Sequence, residues 1–146
     1  MTFILAVETT TKNCSVALFK NQELIQLKEE VSEKYIHAEK LTLFIKDIIR
    51  VAKITFKDIG VIVISKGPGS YTGLRIGTGI AKGLCYALEI PLISVSTLKA
   101  MAFSMHRKYD YSFFCPMIDA RRMEAFSSIY DKNSIINVIF RSSQNL

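Results

Sequence analysis

One pattern in this sequence recurs and limits what the chain can fold into. Phe3 to Glu8 is an apolar β run ending in an acid, Cys14 to Phe19 a second strand of small and apolar residues, and Glu23 to Glu29 a third across a Lys20-Asn21-Gln22 turn. Near the other end, Phe113 to Asp119, Glu124 to Tyr130 and Ser134 to Phe140 repeat that order, with Asp131-Lys132-Asn133 as the turn. A shift of 111 residues lays Glu8 on Asp119 and Phe19 on Tyr130. Two β-β-β starts in one chain suggest a duplicated fold, although any two hairpins overlay to some degree.

Between the copies the pattern alternates. Tyr35 to Lys53 carries Leu41, Phe44, Ile45, Ile48, Ile49 and Ala52 on one helical stripe, and Val61 to Ser65 is a continuous apolar strand of the buried parallel kind. Lys66 to Thr72 reads as a loop, Leu74 to Leu88 as a second helix, and Pro91 to Val95 as a short strand. Ser96 to about Arg107 is a third helix capped by Ser96 or Thr97. The order β-β-β-α-β-α-β-α predicts an α/β domain over residues 1–107, with a mixed sheet and helices on its faces. Residues 108–146 then supply only the first three strands of a second half, with no helices to cover them.

Composition narrows the function class. With 49% hydrophobic residues, three prolines and seven glycines, the chain has ample apolar surface to bury and is not disordered. Its longest apolar runs fall far short of the roughly 18 residues a membrane span needs, and the first strand lacks the basic lead and cleavage site of a signal peptide. Cys14, Cys85 and Cys115 are odd in number and far apart, which reads as buried reduced thiols in a cytoplasmic protein. The net charge of +6 comes from Lys and Arg scattered among acids, with no basic run longer than His106-Arg107-Lys108. That distribution favours no autonomous nucleic-acid surface.

Few residues are placed for chemistry. Lys66-Gly67-Pro68-Gly69-Ser70-Tyr71-Thr72-Gly73 lies between a strand and a helix, where phosphate loops occur, yet it fits neither the G-x-x-x-x-G-K-[ST] nor the G-x-G-x-x-G pattern. A tight turn explains its glycines equally well. His37 and His106 form no metal-ligand spacing, so no metal site is expected. Glu8 with Thr9 and Thr10, and Asp119, remain open to two readings. The acids either face each other across a cleft between two halves and hold a metal-bound phosphate, or they cap turns.

The helix from Leu74 is the more telling segment. Gly73, Gly77, Gly79 and Gly83 lie in or beside it, and an interior glycine costs about 1 kcal/mol relative to alanine. Such a helix packs closely on another backbone, in its own core or on a partner. The first helix favours a partner, because Ile36 and Leu43 add apolar groups opposite its core stripe. Together with His37, Arg75, Ile76, Gly79, Gly83 and Tyr86 they are the candidate docking residues.

At Lys66 to Gly77, with Ala81-Lys82-Gly83-Leu84 after it, the sequence resembles the bacterial TsaB (YeaZ) family. The likeness extends through Ile4 to Thr10, Cys14 to Leu18, His37 with Leu41, Ile93 to Leu98, Met101-Ala102, and Ile118 to Arg121 with Glu124. It covers residues 3 to about 130. The resemblance implies an actin-like, Hsp70-like (ASKHA) fold of two duplicated halves and a role in forming threonylcarbamoyl-adenosine in tRNAs that read codons beginning with A. It also implies a noncatalytic chain that pairs through its first two helices with itself or with a paralogous transferase, TsaD, with the TsaE ATPase as a further partner. ATP and a metal ion then belong to the partner, and tRNA is met through the complex. TsaD binds its metal through two histidines on the helix after the fifth strand, where this chain has Ser96 to Met101 and no histidine. Family members run past 200 residues, so functions that rest on their C-terminal half are in doubt for a chain of 146. An ATP-binding enzyme of the same superfold, using Glu8, Thr9, Thr10 and Asp119, is the competing expectation.

Overall fold

A computed structural model describes residues 2–32 and 36–131. The elements follow the order β1 (Phe3–Glu8), β2 (Asn13–Lys20), β3 (Glu23–Val31), α1 (His37–Val51), β4 (Ile59–Ser65), α2 (Tyr71–Leu88), β5 (Leu92–Val95) and α3 (Thr97–His106). Four short strands complete it: β6 (Phe113–Phe114), β7 (Met117–Arg121), β8 (Glu124–Ser127) and β9 (Tyr130–Asp131). The chain divides into two compact units, one of Met1–Lys66 with Ser70–Ser94 and one of Gly67–Gly69 with the chain from Val95 on.

The first unit is an α/β layer. Its sheet runs β3-β2-β1-β4-β5. The β1/β2 and β2/β3 pairs are antiparallel and β1/β4 is parallel, which makes the sheet mixed as the element order predicts. Alternation along the strands sends Leu5, Val7, Cys14, Val16, Leu18, Ile62 and Ile64 to one face. There they meet the α1 stripe of Leu41, Phe44, Ile45, Ile48 and Ile49, with Ala81 and Cys85 from α2. That stripe is the one the helical period predicts, since 3.6 residues per turn brings these positions onto one side. Lys28 on β3 bonds Asp47 on α1, and Lys40 lies 3.4 Å from Glu30, so charged pairs close the edge of the same layer.

Boundaries moved for local reasons. Helix α2 starts at Tyr71 rather than Leu74 because Ser70 caps it, its Oγ accepting from the Gly73 amide at 3.2 Å. Helix α1 ends at Val51, before Lys53 turns to a φ of 54°. Tyr35, the expected first residue of α1, lies outside the described residues.

In the second unit, α3 packs Leu98 and Ala102 on Phe114 and Tyr130, with Ile118 beside them. Ser96 caps α3 as expected, accepting from the Lys99 amide. This packing places the helix in the second unit, which takes up the chain from Val95. The two strands expected from Phe113 to Asp119 and from Glu124 to Tyr130 are each broken in two. Pro116, which has no amide hydrogen to donate, interrupts the first. Hairpin β7/β8 is antiparallel and turns through Arg121, Arg122 and Met123, all at positive φ. The third expected strand, Ser134 to Phe140, lies outside the described residues. Among those described, no helix is long and apolar enough to cross a membrane.

Candidate functional site: a glycine-lined helical face

The four glycines of α2 fall on two separate lines of the helix. At about 100° per residue, Gly73 and Gly77 share one line, while Gly79 and Gly83 share another about 120° away. The first line meets the first unit's own interior: a Cβ on Gly73 would run into the Thr9 carbonyl and lie 3.0 Å from Cδ2 of His37, and one on Gly77 would meet Oγ1 of the Thr9 side chain. Among the described residues the second line meets nothing, because a Cβ on Gly79 or Gly83 would have no neighbour within 4 Å. The close backbone approach expected from the glycines is therefore made by Gly73, with Gly77 beside it against the Thr9 side chain. Gly79 and Gly83 stay open.

Around that open line the surface is mixed. Tyr71, Arg75, Lys82 and Tyr86 are exposed on α2, Tyr86 at 89%, and the Arg75 guanidinium lies 5.6 Å from the centre of the Tyr71 ring. Tyr71, Thr72, Arg75 and Ile76 line a depression at the start of the helix. On α1, which packs against α2, Leu43 is 53% exposed and Val51 55%. Exposed large apolar groups on neighbouring helices, beside a flat glycine track that lets a second backbone come near, make a surface suited to another helix.

Two residues assigned to this face sit elsewhere, and Ile76 is shared: half-buried against the main core, it also lines the depression beside Arg75. Ile36 is half-buried against the same core, so it supports the helix more than it extends the surface. His37 is completely buried, and its Nε2 donates to the Thr11 carbonyl at 2.7 Å, pinning the start of α1 to the β1–β2 connection. A side chain with no exposed area cannot touch a partner. His37 instead fixes the angle at which α1 leaves the sheet.

The acidic turn shares this framework. Glu8 at the end of β1 accepts with Oε1 from the Thr10 amide at 2.6 Å and the Thr10 hydroxyl at 2.5 Å, and with Oε2 from Ser65 at the end of β4. Thr9 and Thr10 are buried, and the Thr10 carbonyl accepts from the Ser70 amide at 2.6 Å. Glu8 thus ties the end of β1 to the end of β4 and to Thr10, and Thr10 in turn holds Ser70. In the second unit, Oδ1 of the exposed Asp119 accepts from the amide of Arg121 at 2.7 Å, the same reach of two residues that Glu8 makes to Thr10. Each acid caps its own turn.

Two thiols are shielded and one is not. Burial, with Glu30 nearby, pushes Cys14 up to about 11, and burial also raises Cys85. Cys115 is exposed, against the expectation that all three are buried, and all three are free thiols. Among the described residues no three His, Cys, Asp or Glu side chains gather at metal-binding distance.

Comparison with known proteins identifies the fold. Residues 29–136 match the family TsaD, tRNA N6-adenosine threonylcarbamoyltransferase. The chain belongs to the TsaD family. Its curated relatives include proteins named "tRNA threonylcarbamoyladenosine biosynthesis protein TsaB". The Escherichia coli protein is 38% identical over 134 residues, which is 90% of this chain and 57% of the relative. The one from Buchnera aphidicola of Schizaphis graminum is 35% identical over 133 residues, 91% and 62% of the two chains. That of Bacillus subtilis is 31% identical over 137 residues, 93% and 58%. Among solved structures, YeaZ from Pseudomonas aeruginosa superposes with a TM-score of 0.82 at 30% identity, covering 97% of this chain and 65% of that one. The TsaB (YeaZ) resemblance and the α/β actin-like fold both stand. This member of the TsaD family spans about three fifths of the length of the curated relatives it matches.

Proposed function

We propose that the chain is a noncatalytic subunit in the formation of threonylcarbamoyl-adenosine in tRNAs reading codons that begin with A. It acts by docking on a TsaD paralogue, and the docking face is the open side of α2 with Leu43 of α1. The observation that carries this reading is the pair Gly79 and Gly83: two helix-interior glycines that the packing among the described residues does not require. Each weakens the isolated helix by about 1 kcal/mol, a cost that a partner helix seated on the glycine track offsets. The names of the curated relatives support the process, and the absence of histidine from Ser96 to Met101 supports a partner that supplies the metal and ATP chemistry. In isolation the same face pairs with a second copy, since an isologous interface needs one patch only. The TsaE ATPase and tRNA join through the complex.

The test is co-elution with TsaD. Gly79→Phe and Gly83→Phe have room for their side chains in the free chain, so each variant keeps the wild-type circular dichroism spectrum while losing the complex. Undiminished co-elution of either variant rejects the face. Sedimentation of the wild type at high concentration addresses self-pairing separately, and a monomer throughout rejects the homodimer.

A further inference from the structure

A different surface carries an inference independent of the helical face. Strand β3 is nine residues long and, among the described residues, forms one edge of the five-stranded sheet with β2 as its one neighbour. Ile25 is a bulge: Leu18 pairs with Gln26 and Phe19 with Leu24, leaving Ile25 unmatched. From Gln26 to Val31 the pairing with β2 is unbroken, running from Leu18↔Gln26 to Asn13↔Val31. This stretch presents a regular outer edge, the form of backbone that takes up a further strand.

Its side chains specify what that strand carries. Lys28 and Glu30 are held by Asp47 and Lys40 of α1, which assigns the even positions to the face that α1 covers. Successive side chains alternate, so Leu27, Glu29 and Val31 lie on the other face. Leu27 is 44% exposed and Val31 72%. Oε2 of Glu29 accepts from the side-chain Nδ2 of Asn13 at 3.1 Å, and Glu29 remains exposed. The edge therefore reads apolar, acidic, apolar on one face.

A second copy of this chain is a poor match. The antiparallel register that sets Leu27 beside Val31 and Lys28 beside Glu30 also sets Glu29 directly opposite the other copy's Glu29, a destabilising like-charge pair. Moving the register by two residues, the step that keeps these side chains on one face, sets Leu27 against Glu29 in one sense and Val31 against Glu29 in the other. Like-charge blocking of this kind is how natural edges avoid their own kind while staying open to a complementary strand.

We propose that the Gln26–Val31 edge is a strand-addition site for an extended peptide segment that carries a Lys or Arg between two apolar residues on one face. The basic side chain sits across from Glu29, and the flanking apolar groups cover Leu27 and Val31. The main chain supplies affinity and Glu29 supplies the charge selection.

The experiment uses two blocked synthetic probes, Thr-Val-Thr-Lys-Thr-Val-Thr and Thr-Val-Thr-Glu-Thr-Val-Thr, titrated into the isotope-labelled full chain while amide shifts are followed. The Lys probe is expected to move the amides of Gln26 to Val31 and to bind at least about fivefold more tightly than the Glu probe, in line with one favourable against one like-charge cross-strand pair. In Glu29→Lys the preference is expected to invert, an outcome that simple loss of structure does not produce. Absence of β3 shifts at millimolar Lys probe, equal affinity for both probes, or shifts centred outside β3 overturns the proposal. So do β3 shifts that depend on protein concentration with no peptide present, which assign the edge to a second copy.

Discussion

Replacing the α2 glycines one at a time separates the two lines of the helix by sign. Gly79→Ala and Gly83→Ala each exchange a helix-interior glycine for the best helix former at a position with empty space around the new methyl. Each is expected to stabilise the dilute, uncomplexed chain by about 1 kcal/mol, a rise in melting temperature of roughly 3 °C for a chain of this size. Gly73→Ala gains the same propensity but drives its Cβ into the Thr9 carbonyl, a backbone atom that the Glu8, Thr10 and Ser70 bonds hold in place. Overpacking of that kind costs about 1–3 kcal/mol, and with a rigid obstacle the upper part of that range applies, so the net effect is a loss of about 1–2 kcal/mol. Gly77→Ala meets a side chain, Oγ1 of Thr9, which can rotate, so its net effect is smaller than that of Gly73→Ala. Urea unfolding followed at 222 nm, at concentrations too low for self-association, reads all four. A Gly79→Ala variant no more stable than wild type, or a Gly73→Ala variant stabilised as much as Gly79→Ala, would refute the assignment of one line to the interior and the other to open surface.

Other consequences can be checked alongside. Cys115 is expected to react with a thiol reagent in the native chain at pH 8, whereas Cys14 and Cys85 react only on unfolding; three native equivalents by mass spectrometry would contradict their burial. Because the thiol of Cys14 is raised from 9.0 to about 11 on folding, its contribution to stability is complete below pH 9 and lost as pH climbs through that window; a Cys14→Ala chain should therefore lose less stability than wild type between pH 9 and pH 11. Asp47 is held below its ordinary value of 3.8, first by the hydrogen bond from Lys28, so its contribution is present above 3.8 and disappears as pH falls through its lower folded value. Wild type is expected to exceed Asp47→Asn in stability at neutral pH and to converge on it in acid, and a gap that does not depend on pH would count against the pair. His37→Leu removes the bond to the Thr11 carbonyl and is expected to destabilise by about 1–3 kcal/mol without selectively weakening the docking face; loss of TsaD binding at unchanged stability would return His37 to that face.

The sheet and the helices of the first unit were legible because their signals are periodic and local. The α1 stripe from Leu41 to Ile49 and the apolar run in β4 each satisfy one period, and nothing in the tertiary structure competes with it. The second unit was less legible: Pro116 breaks one expected strand, and α3 joins Phe114 and Tyr130 through contacts that no local pattern announces. The docking residues split for a related reason. Composition marks α2 as glycine-rich, but only the position of Thr9, brought in from the β1–β2 connection, shows that Gly73 and Gly77 serve the interior and Gly79 and Gly83 do not. The spacing was available in the sequence as two i, i+4 pairs; the side each pair faces was not. Likewise His37 reads as a polar residue at a helix start, and its burial follows from the Thr11 carbonyl, 26 residues away in sequence.

Hydrogen–deuterium exchange of the full chain with and without TsaD tests the central claim most directly. The account predicts slowed exchange on TsaD addition in α2, centred on Gly79 to Tyr86, and in α1 around Leu43, with β7 and β8 unchanged. Slowed exchange confined to β7/β8 or to the Glu8–Ser70 turn, with α2 unaffected, would contradict it.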